Sequence, residues 1–116
     1  MNEDGGPIFR QIATQLEDAI VDGSLAEESQ APSSNELAAF HRINPATAAK
    51  GLNQLVSDGV LYKRRGVGMF VATGAREQLL KRRRSEFAEQ FVTPLLAEAD
   101  KVGITVAEIE IGRAHV

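Results

Sequence analysis

The fold of this chain is decided by Pro32–Val71, which reads PSSNELAAFHRINPATAAKGLNQLVSDGVLYKRRGVGMFV. Near its start, Ser33-Ser34-Asn35-Glu36 has capping-box spacing: a serine takes a backbone N–H and a glutamate three residues on reaches back. A helix is predicted from about Ser34 to His41, turning Leu37, Ala38 and Phe40 inward. Arg42-Ile43-Asn44-Pro45 closes it within three or four residues. Asn44 suits an N-cap and Pro45 a first helical position, so a second helix starts there and ends near Asp58, with Gly59 just past it. Two helices joined by so short a turn are a helix-turn-helix candidate, although many small helical domains contain such a corner. The residues beyond strengthen the reading. Val60–Arg65 is rich in strand formers, Gly66-Val67-Gly68 is a glycine turn, and Met69–Ala72 is a second strand. A basic hairpin directly after the second helix is a wing.

Upstream, Ile8, Ile12, Leu16 and Ile20 recur every four residues, one stripe of a helix entered at Pro7 and stopped by Gly23. Residues 24–32 read as a loop. Downstream, a helical pattern resumes at Ala75. Its apolar stripe is Leu80, Phe87, Phe91, Leu95, Ala99 and Val102, and a kink or restart is expected at Pro94 with Thr93 as cap. Gly103 ends that helix. Thr105 and Glu108 form a second capping box before a short helix carrying Val106 and Ile109, although the Glu108–Ile111 alternation also reads as a strand. The expected fold class is α+β, mostly α: a winged helix-turn-helix with a short C-terminal helical dimerisation tail. The expected division is a disordered N-terminus (1–6), a winged helix-turn-helix (7–74) and a helical pairing region (75–116).

The net charge of −3 hides an asymmetry. Residues 1–31 carry seven acids and one base, residues 32–84 ten bases and three acids, and residues 85–116 six acids and two bases. The positive charge therefore sits on the helix-turn-helix and wing, as a nucleic-acid footprint would. The apolar share of 43% and charged share of 25% are those of a globular chain. No apolar run approaches membrane-span length, the acidic start is not a secretory signal, and a cytoplasmic location is expected. With no cysteine, disulfides and thiolate metal sites are excluded. His41 and His115 are lone histidines, and there is no phosphate-loop motif or nucleophile elbow, so neither a cofactor nor an enzyme is expected.

A helical wheel of the second of the two helices puts Ala48, Leu52, Leu55 and Val56 on one side and Ala46, Thr47, Lys50, Asn53, Gln54 and Ser57 on the other. The second face is small, polar and singly cationic, suited to a DNA groove about 12 Å wide. Ala46 would meet a thymine methyl, Thr47 a base edge or phosphate, and Lys50 a guanine or phosphate. In the hairpin, Lys63, Arg64 and Arg65 beside Gly66 would pair with phosphates or enter the minor groove. The bland alternatives are a solvated helix face and a hairpin edge guarded by charge. Arg42 is a candidate backbone clamp. The run Lys81–Arg84 spreads over all faces of its helix and reads mainly as exposed charge.

These residues resemble the GntR family of bacterial regulators, in particular its small YtrA-like branch. The resemblance rests on Pro7-Ile8-Phe9-Arg10-Gln11-Ile12, Pro32-Ser33-x-x-Glu36-Leu37-Ala38, Asn44-Pro45-Ala46-Thr47, Leu52-x-x-Leu55-x-x-x-Gly59-Val60-Leu61 and Arg65-Gly66-x-Gly68-x-Phe70-Val71. It covers residues 7–72, and the tail motif Glu98-Ala99-x-x-x-Gly103-Ile104-Thr105 looks like the branch's dimerisation region. It implies a homodimer, acting as a repressor, on a double-stranded DNA operator of two-fold symmetry. The family pattern carries DNA contacts onto Asn35, Thr47, Lys50, Arg65 and Gly66. Where the family usually has arginine this chain has Asn35, which suits adenine better than guanine or phosphate. Ser33 and Asn44, at the two helix starts, complete the expected DNA-facing set. The expected dimer contact is Leu80, Phe87, Phe91, Leu95, Ala99 and Ile109. With residues 73–116 following the wing, any small-molecule effector would have to bind at the dimer seam or between tail and reader. The rival reading is a winged-helix module that pairs proteins without DNA, against which the basic middle third argues.

Overall fold

The isoleucine and leucine stripe of the first predicted helix does what its spacing requires. Ile12, Leu16 and Ile20 are almost fully buried on α1 (Ile8–Asp22), which ends at Gly23 in the left-handed region, φ 88°. The computed structural model describes residues 5–114; His115 and the first four residues of the expected disordered N-terminus lie outside them. After α1 come α2 (Ser34–His41), α3 (Pro45–Ser57), β1 (Leu61–Arg64), β2 (Gly68–Val71), α4 (Ala75–Phe87), a π-helical turn (Ala88–Val92), α5 (Thr93–Lys101) and α6 (Val106–Ala114). The mainly helical winged helix-turn-helix expected from the sequence is the observed architecture. The chain forms two compact units, the first reaching Leu80 and the second starting at Lys81.

In the first unit the core gathers the α1 stripe, Leu37 and Ala38 of α2, Ala48, Leu52 and Leu55 of α3, the wing residues Val60, Leu61 and Val71, and Ala75 and Leu79 of α4. Gly51 is buried where α1 meets α3, a position the helical wheel does not single out. A Cβ there would lie 2.7 Å from the Phe9 carbonyl oxygen and 3.0 Å from Ile12 Cγ2. Glycine is what lets the two helices come this close.

Both predicted helix starts carry the expected caps. Ser33 Oγ accepts from the Glu36 N–H at 3.1 Å while the Ser33 N–H donates to Glu36 Oε1 at 3.1 Å. Asn44 Oδ1 accepts from the Ala46 N–H at 2.8 Å, and Pro45 opens α3. Phe40 departs from expectation: it is 81% exposed and stands edge-on to the His41 ring. The α2 helix is only eight residues long. Beyond its end, Ile43 packs against the core instead.

The wing strands are antiparallel, pairing Leu61 with Val71, Tyr62 with Phe70, Lys63 with Met69 and Arg64 with Gly68. The segment expected as a plain loop covers the outer edge of β2. Glu28 N–H donates to Val71 O (2.8 Å), Val71 N–H to Ser29 O (3.0 Å) and Ala31 N–H to Met69 O (2.8 Å). These bonds use backbone alone, so no apolar alternation announces them.

In the second unit the kink or restart expected at Pro94 takes the form of a π-helical turn leading into α5. Thr93 does not cap; its N–H reaches back to Ala88 O, and Pro94 lies in the first turn of α5. A π-helical turn leaves room for a proline ring and spares the N–H it lacks. Gly103 ends α5 with φ 73°. The Thr105–Glu108 box forms, Glu108 N–H donating to Thr105 Oγ1 at 3.2 Å, and Glu108–Ile111 lies in a helix, not a strand. Phe87, Phe91 and Leu95 are exposed, with the two phenylalanine rings 5.8 Å apart, whereas Ala99 is buried within the single chain. Leu80 and Ile109 are half-buried. Among the described residues no helix is long and apolar enough to cross a membrane.

Candidate nucleic-acid interface

The amphipathic split of α3 governs everything on this face. Ala48, Leu52 and Leu55 are buried with Val56 half-buried, while Ala46, Lys50, Asn53, Gln54 and Ser57 are exposed and Thr47 is half-buried. The buried side anchors the helix, so the polar side is presented on a rigid support. Asn35 stands exposed in the first turn of α2. Arg42 ends α2 with φ 55°, a left-handed conformation that usually falls to glycine.

Lys63, Arg64, Arg65 and Gly66 are exposed along the hairpin and its tip. The Arg64 guanidinium lies 4.8 Å from the centre of the Phe70 ring, which fixes its stem. At the tip Gly66 has φ 76° and Gly68 φ 144°, and a Cβ on Gly68 would strike Gln30 Nε2 at 2.6 Å. That same amide donates to Val67 O at 3.0 Å, tying the tip to the segment before α2. The wing base is tied as well. The Tyr62 and Thr73 hydroxyls both donate to the Glu28 carboxylate, Thr73 at 2.7 Å, and the Gly74 N–H donates to Glu27. The Tyr62 hydrogen bond, then that from Thr73, holds the Glu28 carboxyl below the ordinary glutamate range. The same bond to Glu28 pushes the Tyr62 phenol up.

The three elements meet in an open groove of about 370 Å³, lined among others by Ser33 of the α2 cap, Asn53 of α3 and Lys63 and Gly68 of the wing. Of the residues predicted to face DNA, the groove brings together Ser33 and Lys63, with Asn53 of α3 between them; Asn35, Arg42, Asn44, Ala46, Thr47, Lys50, Arg64, Arg65 and Gly66 do not line it. Ser33 Oγ accepts in its cap and keeps its own hydrogen to donate. Asn44 Oδ1 is committed to the cap, which leaves its Nδ2 as the group able to donate outward. Lys50 does not line the groove; its ammonium lies 4.2 Å from the centre of the Phe9 ring. Arg82, in the basic run of α4, pairs with Glu86 at 3.4 Å. Sequence reasoning missed Gln30, Glu28 and Phe9, which support this surface. Their partners lie 34 to 45 residues away for the first two, so no local pattern points to them.

The family model described as "Bacterial regulatory proteins, gntR family" matches residues 9–71. The repressor NagR of Bacillus subtilis is 37% identical over 75 residues, covering 65% of this chain and 31% of NagR. The repressor YtrA of Bacillus subtilis is 26% identical over 103 residues, covering 89% of this chain and 78% of YtrA. A solved GntR-family transcriptional regulator from Bacteroides thetaiotaomicron superposes with TM-score 0.76 at 32% identity, covering 93% of this chain and 94% of that one. The DNA-binding domain of AraR, solved in complex with an operator, superposes with TM-score 0.57 at 30% identity over 62% of this chain and 87% of that one. The motif order, the winged architecture and the match over residues 9–71 agree: the chain belongs to the gntR family of bacterial regulatory proteins.

Proposed function

We propose that this chain is a sequence-specific DNA-binding transcriptional regulator, a cytoplasmic repressor that binds a two-fold-symmetric operator as a homodimer. The observation that carries the reading is the single groove shared by Ser33, Asn53 and Lys63, where the α2 cap, α3 and the basic hairpin meet. The likeness to the AraR domain, solved in complex with an operator, supports DNA binding. In this reading Ser33, Arg42, Lys63, Arg64 and Arg65 take phosphates, Ala46, Thr47 and Asn35 meet base edges, and Gly66 lets the wing backbone approach DNA. Residues 7–74 are the reader and residues 75–116 the pairing region. Exposed Phe87, Phe91 and Leu95 support the pairing: an apolar stripe this size is covered by a second copy, which sets two readers about one DNA turn (~34 Å) apart. A small-molecule effector would act by changing that spacing.

The test is a gel-shift and footprinting titration against the DNA upstream of the protein's own gene, repeated across salt concentrations. A dimer neutralising about 6–8 phosphates gives log K against log[salt] a slope of about −5 to −7. A flat dependence, or no protected site, rejects DNA reading and leaves the winged-helix protein-pairing module.

A further inference from the structure

Lys50, on the exposed side of α3 and outside the groove, lies against the first turn of α1, where Phe9 presents its ring at 4.2 Å. Arg10, the next residue of α1, lies against the same ring, its guanidinium carbon 5.7 Å from the centre. Both cations are exposed, and among the described residues neither has a carboxylate partner. The ring is set there by the main chain. Gly51, next to Lys50, allows the Phe9 carbonyl so close that a Cβ would fall 2.7 Å from its oxygen. The seam between α1 and α3 therefore fixes an aromatic platform beside α3, and two cations lie against it.

We propose that Arg10 and Lys50, assembled on Phe9, form a binding subsite for a backbone phosphate of DNA, extending the interface onto α1. This rests on the DNA-reading function proposed above. The chemistry favours a phosphate over a base edge. Two cations held against one ring repel, and a shared anion relieves the repulsion. A guanidinium fork and a compact ammonium together match the oxygens of a phosphodiester. Phe9 is a positioning residue: it keeps Lys50 at this edge and off the bases in the middle of the groove.

The test uses the full chain and two labelled duplexes, one carrying the DNA upstream of its own gene and one of mixed sequence and equal length. Fluorescence anisotropy is read across salt concentrations. One phosphate contact contributes about fivefold in affinity at ~0.15 M salt. Arg10→Gln should therefore weaken both duplexes by about fivefold per bound copy and make the salt slope shallower by about 1 per copy. Phe9→Leu should weaken both by about two- to fivefold, the range of an exposed cation–π contact, while Phe9→Tyr keeps the platform and the affinity. Arg10→Gln with unchanged affinity and slope, beside an Arg65→Ala that does weaken binding, overturns the subsite and leaves the proposed function standing. Arg10→Gln weakening one duplex only overturns the phosphate assignment. Wild-type protein binding neither duplex overturns both.

Discussion

Gly51→Ala is the substitution whose outcome the packing of the first unit states most sharply. On an exposed helix it would stabilise by about 1 kcal/mol, because alanine is the better helix former. Here the added Cβ would sit 2.7 Å from Phe9 O and 3.0 and 3.1 Å from Ile12 side-chain carbons. Carbon contacts are optimal at about 3.5–4.0 Å, so α1 and α3 must part by roughly half an ångström or more. The oxygen belongs to the backbone and Ile12 is 1% exposed, so no flexible side chain can give way. Overpacking of this kind costs about 1–3 kcal/mol, and a backbone clash falls at the upper end. Set against the helix gain, the net loss is about 2 kcal/mol. For a domain this size that lowers Tm by about 8–16 °C. Ser57→Ala, on the exposed face of the same helix, should stay within about 0.5 kcal/mol. Thermal unfolding followed by circular dichroism measures both. A Gly51→Ala protein melting at or above the wild-type temperature would show that the two helices have room to spare, and the Phe9 platform would lose its geometric basis.

Arg42→Gly should relieve left-handed backbone strain and raise stability by about 1 kcal/mol while weakening DNA binding; binding that stays unchanged removes Arg42 from the interface. Glu28 has a carboxyl whose folded-state pKa is lowered by Tyr62 and Thr73, so its contribution is present at neutral pH and is lost as pH falls through the folded value. Between about pH 5 and pH 3 wild-type Tm should therefore fall more steeply than that of Glu28→Gln, and parallel curves would refute the wing-base tie. Phe91, 61% exposed, should be replaceable by aspartate without unfolding the reader, giving monomers by sedimentation and much weaker operator binding. An unchanged dimer would sink the assigned pairing stripe.

Most of the caps and helix stops were legible in the residues. The Ser33–Glu36 and Thr105–Glu108 boxes, the Asn44-Pro45 start and the glycine stops at Gly23, Gly59 and Gly103 each act within a few positions of themselves. The α3 faces followed from a 100° wheel, because a helix sorts side chains by periodicity alone. The charge asymmetry placed the positive region before any contact was known. Phe40 was misread because the pattern extends an apolar face that an eight-residue helix does not continue. The interruption at Pro94 was legible, but its π-helical form and the missing Thr93 cap were not, because proline announces a lost hydrogen bond without saying how the chain absorbs it.

Sequence by itself therefore determined the element order, the family and the core-facing sides of α1 and α3. Only tertiary structure decided that Gln30 holds the wing tip, that Glu28 ties the wing base, and that Lys50 rests on Phe9. The reason is physical. Caps and periodicity are properties of neighbouring residues, whereas these contacts join segments far apart in the chain, and their partners exist only once α1, α3 and the hairpin have closed on one core.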